Sequence, residues 1–320
     1  MAALSDKLAD AYQNARPRYP IDWFTKLAAR TGQHKLAWDV GTGNGQAAIG
    51  VSFFFLHLRL AEYFEKVVAT DINEAQLKRA VKHERISYHH TPTELSEDKM
   101  VALVGGDNSV DLIVAAQAVH YFDLQPFYNI AKRVLRKEGG LIAVWVYNDL
   151  VISPEVDAIM KRLVDSTFPY RTPVMNLAFD GYKTMPFPFE SIGMGSEGKP
   201  IQLDIPHKLS LKGFVGFLRS WQPAMKAKER GVELVTEDLI NQFEDAWGDD
   251  DDVKDIFYKA HMIVGKLSSA DIERHRKRFE SNCVVTKLKD SNNSAVIASV
   301  TAAAFAGVAA YCAYSARKNT

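Results

Sequence analysis

The segment Leu36-Ala37-Trp38-Asp39-Val40-Gly41-Thr42-Gly43-Asn44-Gly45-Gln46 constrains this chain more than any other. It reads as a short buried strand running into a glycine-rich turn and then a helix. Glycines at 41, 43 and 45 let main-chain N–H groups approach a ligand closely, where a Cβ would obstruct it. The spacing excludes one ligand class. A dinucleotide fingerprint needs Gly-x-Gly-x-x-Gly, and the sixth position here is Gln46. A tight strand-to-helix turn without a ligand is the structural alternative.

Alternating apolar runs and helical patterns follow, as a parallel α/β sheet requires. Lys66 to Asp71 is a second short strand ending in an acid. Asn73 to Arg85 reads as a helix capped by Asn73, with Ala75, Leu77, Ala80 and Val81 apolar. Ile86 to His90 is a weaker third strand. Asp111 to Gln117 is a fourth, apolar as a strand covered on both faces should be. Leu124 to Leu135 is an amphipathic helix closed by Gly139 and Gly140, and Leu141 to Tyr147 is the fifth strand.

Beyond Tyr147 a helix is expected from Pro154 to Thr167. Residues 168–200 are rich in proline and glycine and read as an irregular covering segment. Ile201 to Ser210 and Asp255 to Leu267 are expected late strands, with helices at Leu211 to Ser220 and Glu237 to Trp247 between them. The four acids Asp249 to Asp252 read as a solvated turn, because no other metal ligands cluster with them in sequence.

Charge balance limits the partners. The chain carries 39 Lys and Arg against 39 Asp and Glu, so nothing global argues for nucleic acid. Its two cysteines, Cys283 and Cys312, lie far apart without metal-ligand spacing, which points to a reducing compartment. Met1 to Asp10 lacks a long apolar run and is neither a secretory signal nor a convincing transit peptide. The 21 residues from Ala295 to Ser315 carry no charge and are flanked by basic residues. As a helix at about 1.5 Å per residue they would just cross a bilayer core of roughly 30 Å. Nine of them are alanine, so the apolar drive is weak, and a surface or buried helix is the alternative to a tail anchor.

Six segments in order carry a family resemblance. They are Tyr-Gln-Asn-Ala-Arg-Pro-Arg-Tyr-Pro (12–20), Trp-Asp-Val-Gly-Thr-Gly-Asn-Gly-Gln (38–46) and Ala-Thr-Asp-Ile-Asn-Glu-Ala-Gln-Leu (69–77). Val-Asp-Leu-Ile-Val-Ala-Ala-Gln-Ala-Val-His-Tyr-Phe (110–122), Arg-Val-Leu-Arg-Lys-Glu-Gly-Gly (133–140) and Leu-Arg-Ser-Trp (218–221) complete them. Residues 10–267 resemble a class I S-adenosylmethionine-dependent methyltransferase of the trans-aconitate methyltransferase-like group, near the plant embryo-abundant proteins. The resemblance implies an α/β, Rossmann-like seven-stranded sheet in order 3-2-1-4-5-7-6 with strand 7 antiparallel and a C-terminal lid insertion, to which the uncharged stretch adds a terminal hydrophobic helix. Together the two readings divide the chain into a donor-binding core (1–150), the rest of the sheet with an acceptor lid (151–267), a linker (268–293) and a candidate transmembrane tail (294–316). A cytoplasmic catalytic domain, tail-anchored to an organelle membrane, is the expected location.

One departure interrupts the resemblance. Such enzymes place the last loop glycine about 17 residues before the acid ending strand 2, whereas Gly45 and Asp71 are 26 apart. Removing Ser52 to Leu60 would restore the usual length. Our hypothesis is a retained intron or gene-model error, because Val51 can begin with GT and Ser-Phe-Phe-Phe-Leu permits a pyrimidine-rich run. Abundant transcripts encoding all nine residues would sink it. The alternative is a helix lengthened by about two and a half turns.

The resemblance assigns S-adenosyl-L-methionine as the cofactor and a small-molecule methyl acceptor, with a carboxylate as one candidate class. Its donor-binding residues are Asp39, Gly41, Thr42, Gly43, Gly45, Asp71, Ile72, Thr93, Glu94 and Gln117. Asp39 holds the donor ammonium or orients the loop; Asp71 accepts ribose hydroxyls, as acids do in related sheets. Thr93 and Glu94 border adenine or are solvated. The catalytic candidates are His120, Tyr12 and Arg16. His120 orients a carboxylate, takes a proton, or simply packs beneath the lid. Arg16 or Arg219 clamps an acceptor carboxylate, and Trp145, Tyr147 and Trp221 wall the pocket or pack. A nicotinamide oxidoreductase, disfavoured by Gln46, and a non-catalytic scaffold are the competing readings.

Overall fold

The computed structural model describes residues 17–43, 60–248, 253–274 and 277. The chain divides into a unit ending at Ser268 and a second beginning at Ser269. In the second, the described residues are helical, and Arg274 Nη2 donates to Asp271 Oδ1 at 2.7 Å.

The first unit is built on a mixed sheet. Its parallel strands are β1 (Leu36–Val40), β2 (Lys66–Asp71), β3 (Ile86–His90), β4 (Leu112–Ala116) and β5 (Leu141–Val151). The chain later adds β6 (Glu190–Ser191), β7 (Ile201–Ser210) and β8 (Val253–Lys266), and the order is β3-β2-β1-β4-β5-β8. β8 runs antiparallel to β5, while β7 and the two-residue β6 both pair with β8. The expected order therefore holds, with eight strands in place of seven because β6 adds a short second partner along β8. β5 runs four residues past the expected end at Tyr147, with a bulge between Tyr147 and Asp149.

Alternate strand residues face opposite layers. On one face Ala37, Val67, Leu112, Val114, Ala143 and Trp145 join a core covered by α1 (Ile21–Ala28), α2 (Leu60–Tyr63), α6 (Pro154–Ser166), α8 (Leu211–Ser220) and α10 (Glu237–Trp247). Before α6, the chain forms α3 (Glu74–Lys78), α4 (Glu97–Leu103) and α5 (Leu124–Val134). α5 buries Phe127, Tyr128, Ala131 and Val134, and the Phe127 ring meets Trp38 from the other face. α7 (Pro173–Phe179) and α9 (Gln222–Glu229), neither expected from sequence, lie in the segments after β5.

The helix expected from Asn73 to Arg85 is cut short to α3. Asn73 does cap it, its Oδ1 accepting from the N–H groups of Ala75 and Gln76. None of its residues is buried, however, and Val81 is exposed, so no packing offsets the cost of extending a short helix. Of the nine residues that lengthen the loop-to-strand connection, only Leu60 is described; it opens α2 and is buried. The acid run 249–252 and the expected tail 294–316 lie outside the described residues, among which no helix is long and apolar enough to cross a membrane.

Candidate functional site

The carboxyl edge of the parallel strands gathers most of the expected residues. Asp39, at the end of β1, is buried and accepts from Thr42 Oγ1 at 2.6 Å. Gly41 and Gly43 follow at φ +69° and +60°, a backbone region costly for residues with a Cβ. A Cβ on Gly41 would come within 2.6 Å of the Ala118 Cβ, so this glycine lets the loop lie against the turn after β4.

The N–H groups of the loop's described residues are already used. Gly41 and Thr42 both donate to Thr70 O, at 2.8 and 3.0 Å, and Gly43 donates to Asp71 Oδ2 at 2.7 Å. What these residues offer a ligand is close approach, not free main-chain donors. Asp71 also accepts from Asn73 N at 2.7 Å. A carboxylate has about four acceptor positions, so two remain for the hydroxyls of a bound sugar. Ile72 beside it is 59% exposed, an apolar surface on which a base can lie. A donor with a ribose and an adenine therefore fits the residues present. Thr93 and Glu94, in the turn after β3, are exposed and hydrogen-bonded to each other at 3.1 Å.

Gln117 follows β4 with φ +55°, a strained conformation for a residue other than glycine, of the kind found at ligand sites. Its N–H donates to Trp145 O at 2.9 Å and its Nε2 to Tyr147 O at 2.8 Å. His120 comes next, in a 3-10 turn at Val119–Tyr121. It is buried, and burial lowers its pKa to about 4, so the imidazole is neutral at pH 7. Its Nδ1 lies 2.9 Å from the hydroxyl of Tyr182.

A lid of later segments stands over this turn. Asn148, at the β5 bulge, donates from Nδ2 to Phe179 O at 2.9 Å, tying α7 to the sheet. The Phe179 ring meets Trp221 at 5.8 Å, and Tyr121 Oη donates to Gln222 Oε1. Arg171 lays its guanidinium 3.7 Å from the Phe179 ring centroid and donates from Nε to Thr167 Oγ1 at 2.9 Å.

Other expectations fare differently. Gly45, Tyr12 and Arg16 lie outside the described residues. Arg219 is half-exposed and engaged with Glu237 Oε1 at 3.2 Å, a surface pair rather than a clamp in waiting. Trp145 is fully buried, packed edge-on against Tyr19, Trp23 and Phe24, so it belongs to the core and not to a pocket wall. Tyr147 packs on Tyr258 at 5.2 Å. Sequence reasoning missed Tyr182 and Arg171, both in the proline- and glycine-rich stretch. A Gly-Tyr step just past a short apolar helix was the only local signal for the first.

A Rossmann-like sheet with a glycine loop, an acid ending strand 2 and a lidded edge defines the class. Residues 38–143, from β1 into β5, match the methyltransferase-domain family. A methyltransferase of Dictyostelium discoideum is 30% identical over 271 residues, covering 81% of this chain and 93% of that protein. Methyltransferase pgmE of Aspergillus terreus is 30% identical over 174 residues, 50% of this chain and 49% of its own length. The solved structure of a type II methyltransferase from Anaeromyxobacter dehalogenans superposes with a TM-score of 0.65 at 30% identity, covering 78% of this chain and 97% of that one. The chain belongs to the class I S-adenosylmethionine-dependent methyltransferases.

Proposed function

We propose that this chain methylates a small molecule bearing a carboxylate, as the resemblance to the trans-aconitate methyltransferase-like group implies. The observation that carries the reading is convergence at one sheet edge. The loop at Gly41–Gly43, the acid and apolar pair Asp71–Ile72, and the turn from Gln117 to His120 all meet there. When bound, S-adenosylmethionine supplies a methyl group already activated by its sulfonium. The protein's contribution is alignment and exclusion of water. Asp71 holds the ribose hydroxyls, Ile72 lies under the adenine, and Gly41 lets the loop lie against the turn after β4. His120 faces the acceptor beneath α7 and α9. A carboxylate acceptor is anionic at neutral pH and needs no base.

Calorimetric titration with S-adenosylhomocysteine tests the donor half. The native protein is expected to bind, and Asp71→Asn to weaken binding roughly 10- to 100-fold, the scale of one or two charge-assisted hydrogen bonds. Silence from the native protein would demote the catalytic reading in favour of a scaffold that keeps the fold. The lengthened connection at Ser52 to Leu60, so close to the loop, is what favours that second reading. A panel of small carboxylic acids, phenols and primary amines with methyl-labelled donor tests the acceptor half. Membrane attachment through residues 294–316 is a separate proposal, carried by the uncharged stretch alone. Release of the full-length protein by alkaline carbonate would count against it.

A further inference from the structure

Tyr182 is the most unusual residue near the site. It is fully buried, and it follows Gly181 as the second of two consecutive left-handed residues, at φ +67° and +64°. The end of α7 explains the first. Gly181 N donates to Ala178 O and Tyr182 N to Leu177 O, which closes the helix, and any Cβ on Gly181 would strike the His261 ring at 2.6 Å. It does not require a bulky aromatic in the second position, where the conformation is strained for any residue with a Cβ. That backbone accompanies a phenol seated beneath His120, 62 residues earlier in the chain, with Oη 2.9 Å from Nδ1.

One proton is shared along that contact, and its position decides what His120 can do. If Nδ1 carried it, the Tyr182 hydroxyl hydrogen would need another acceptor in a fully buried place. Its other partner among the described residues is the main-chain N–H of His120, itself a donor, which cannot take that hydrogen. Stranding it there would forfeit a hydrogen bond with no water to replace it. If Tyr182 donates instead, the hydrogen is satisfied and the imidazole carries its own hydrogen on Nε2. Nε2 has no partner among the described residues and is not completely sealed from solvent.

We propose that Tyr182 is a positioning residue: its hydroxyl donates to Nδ1 of His120 and fixes the imidazole as a hydrogen-bond donor at Nε2. His120 then holds an acceptor oxygen and takes no proton from it. Burial, which keeps the ring neutral, acts in the same direction. The inference rests on the sheet edge being the methyl-transfer site. It narrows the role of His120 from two chemistries to one, because accepting a proton at Nε2 would require the tautomer that strands the Tyr182 hydroxyl.

Long-range proton–nitrogen NMR on protein labelled at its histidine rings reads the tautomer without any ligand. His120→Gln assigns the signal among nine histidines. The native protein is expected to show the Nε2–H form from pH 6 to 8, and Tyr182→Phe a mixture of tautomers. An Nδ1–H form in the native protein, or an unchanged tautomer in a folded Tyr182→Phe, overturns the proposal. Should that variant not fold, replacing tyrosine by fluorotyrosine keeps the hydroxyl and makes it a better donor. The Nδ1 signal must then shift, and no shift overturns the proposal. Titration with S-adenosylhomocysteine separates this from the underlying reading: donor binding with the wrong tautomer sinks only the role of Tyr182, whereas the right tautomer without donor binding sinks the site.

Discussion

The two ends of the parallel sheet are built to opposite standards. At the amino edge, Asp111 is completely buried, and both oxygens of its carboxylate are engaged. Arg136 Nε donates to one oxygen, and the N–H groups of Lys35 and Leu36 donate to the other at 2.8 and 2.9 Å. Arg136 in turn reaches Ser109 O from Nη2 at 2.9 Å. One charge pair thus ties the starts of β1 and β4 to the chain leaving α5. At the carboxyl edge, Gly41, Gly43 and Gln117 hold left-handed backbones, Ile72 stands in solvent, and His120 keeps one nitrogen without a partner among the described residues. A buried charge is tolerable only when it is paired and hydrogen-bonded, and the amino edge supplies three donors to one carboxylate. A binding edge must keep groups open and strained until a ligand completes them. Stability and function are therefore stored at opposite edges of the same sheet.

The largest expected effect breaks the amino edge. Asp111→Ala leaves a mostly buried guanidinium and two main-chain donors without their acceptor, which should cost about 3–5 kcal/mol. Urea unfolding reads the loss. Donor affinity of the molecules that remain folded should change less than about twofold, because the site lies at the opposite ends of the strands. A loss below about 1 kcal/mol would show that the clamp is not what fastens this edge.

Acid should act through the other edge. Burial depresses the folded-state pKa of His120 to about 4, below the unfolded value near 6.5. The unfolded chain therefore binds more protons between those values. Stability from this group is fully present above pH 6.5 and is lost as pH falls toward 4. From pH 7 to 5 the ceiling is roughly 2 kcal/mol. His89 and His261, also lowered chiefly by burial, slope the same way. His120→Gln should flatten the curve measured by urea unfolding over pH 5 to 7. An unchanged slope would mean that the imidazole is not held neutral.

Much of this contrast was legible in the sequence, but unevenly. β1, β2, β4 and β5 are continuous apolar runs because helices cover both faces, and such runs announce themselves. Gly41 and Gly43 were legible because their positive φ admits few other residues. α3 was overread: an apolar period indicates a face only where something packs on it, and nothing buries this one. Tyr182 was illegible because its meaning lies in a histidine 62 positions away, across a stretch without period. Asp111 was read as the start of an apolar strand, with no sign that its neighbours supply three donors.

Arginine gives the last and smallest test. Arg136 and Arg219 both lie in segments that carry the family resemblance, and both contact a carboxylate. The first pair is buried, with side chains 19% and 0% exposed; the second is open, at 52% and 81%. Coulomb attraction in water is weak and holding two long side chains in one geometry costs entropy, so exposed pairs contribute about 0–1 kcal/mol. Arg219→Ala should lower stability by less than about 0.5 kcal/mol in urea unfolding. Arg219 is already engaged with Glu237, so KM for a carboxylic-acid acceptor should stay within about twofold, well under the tenfold that 1.4 kcal/mol represents. A tenfold rise in KM would mean that Arg219 leaves Glu237 to bind the acceptor. The functional edge would then extend to α8, and the boundary between the two regions would have to be redrawn.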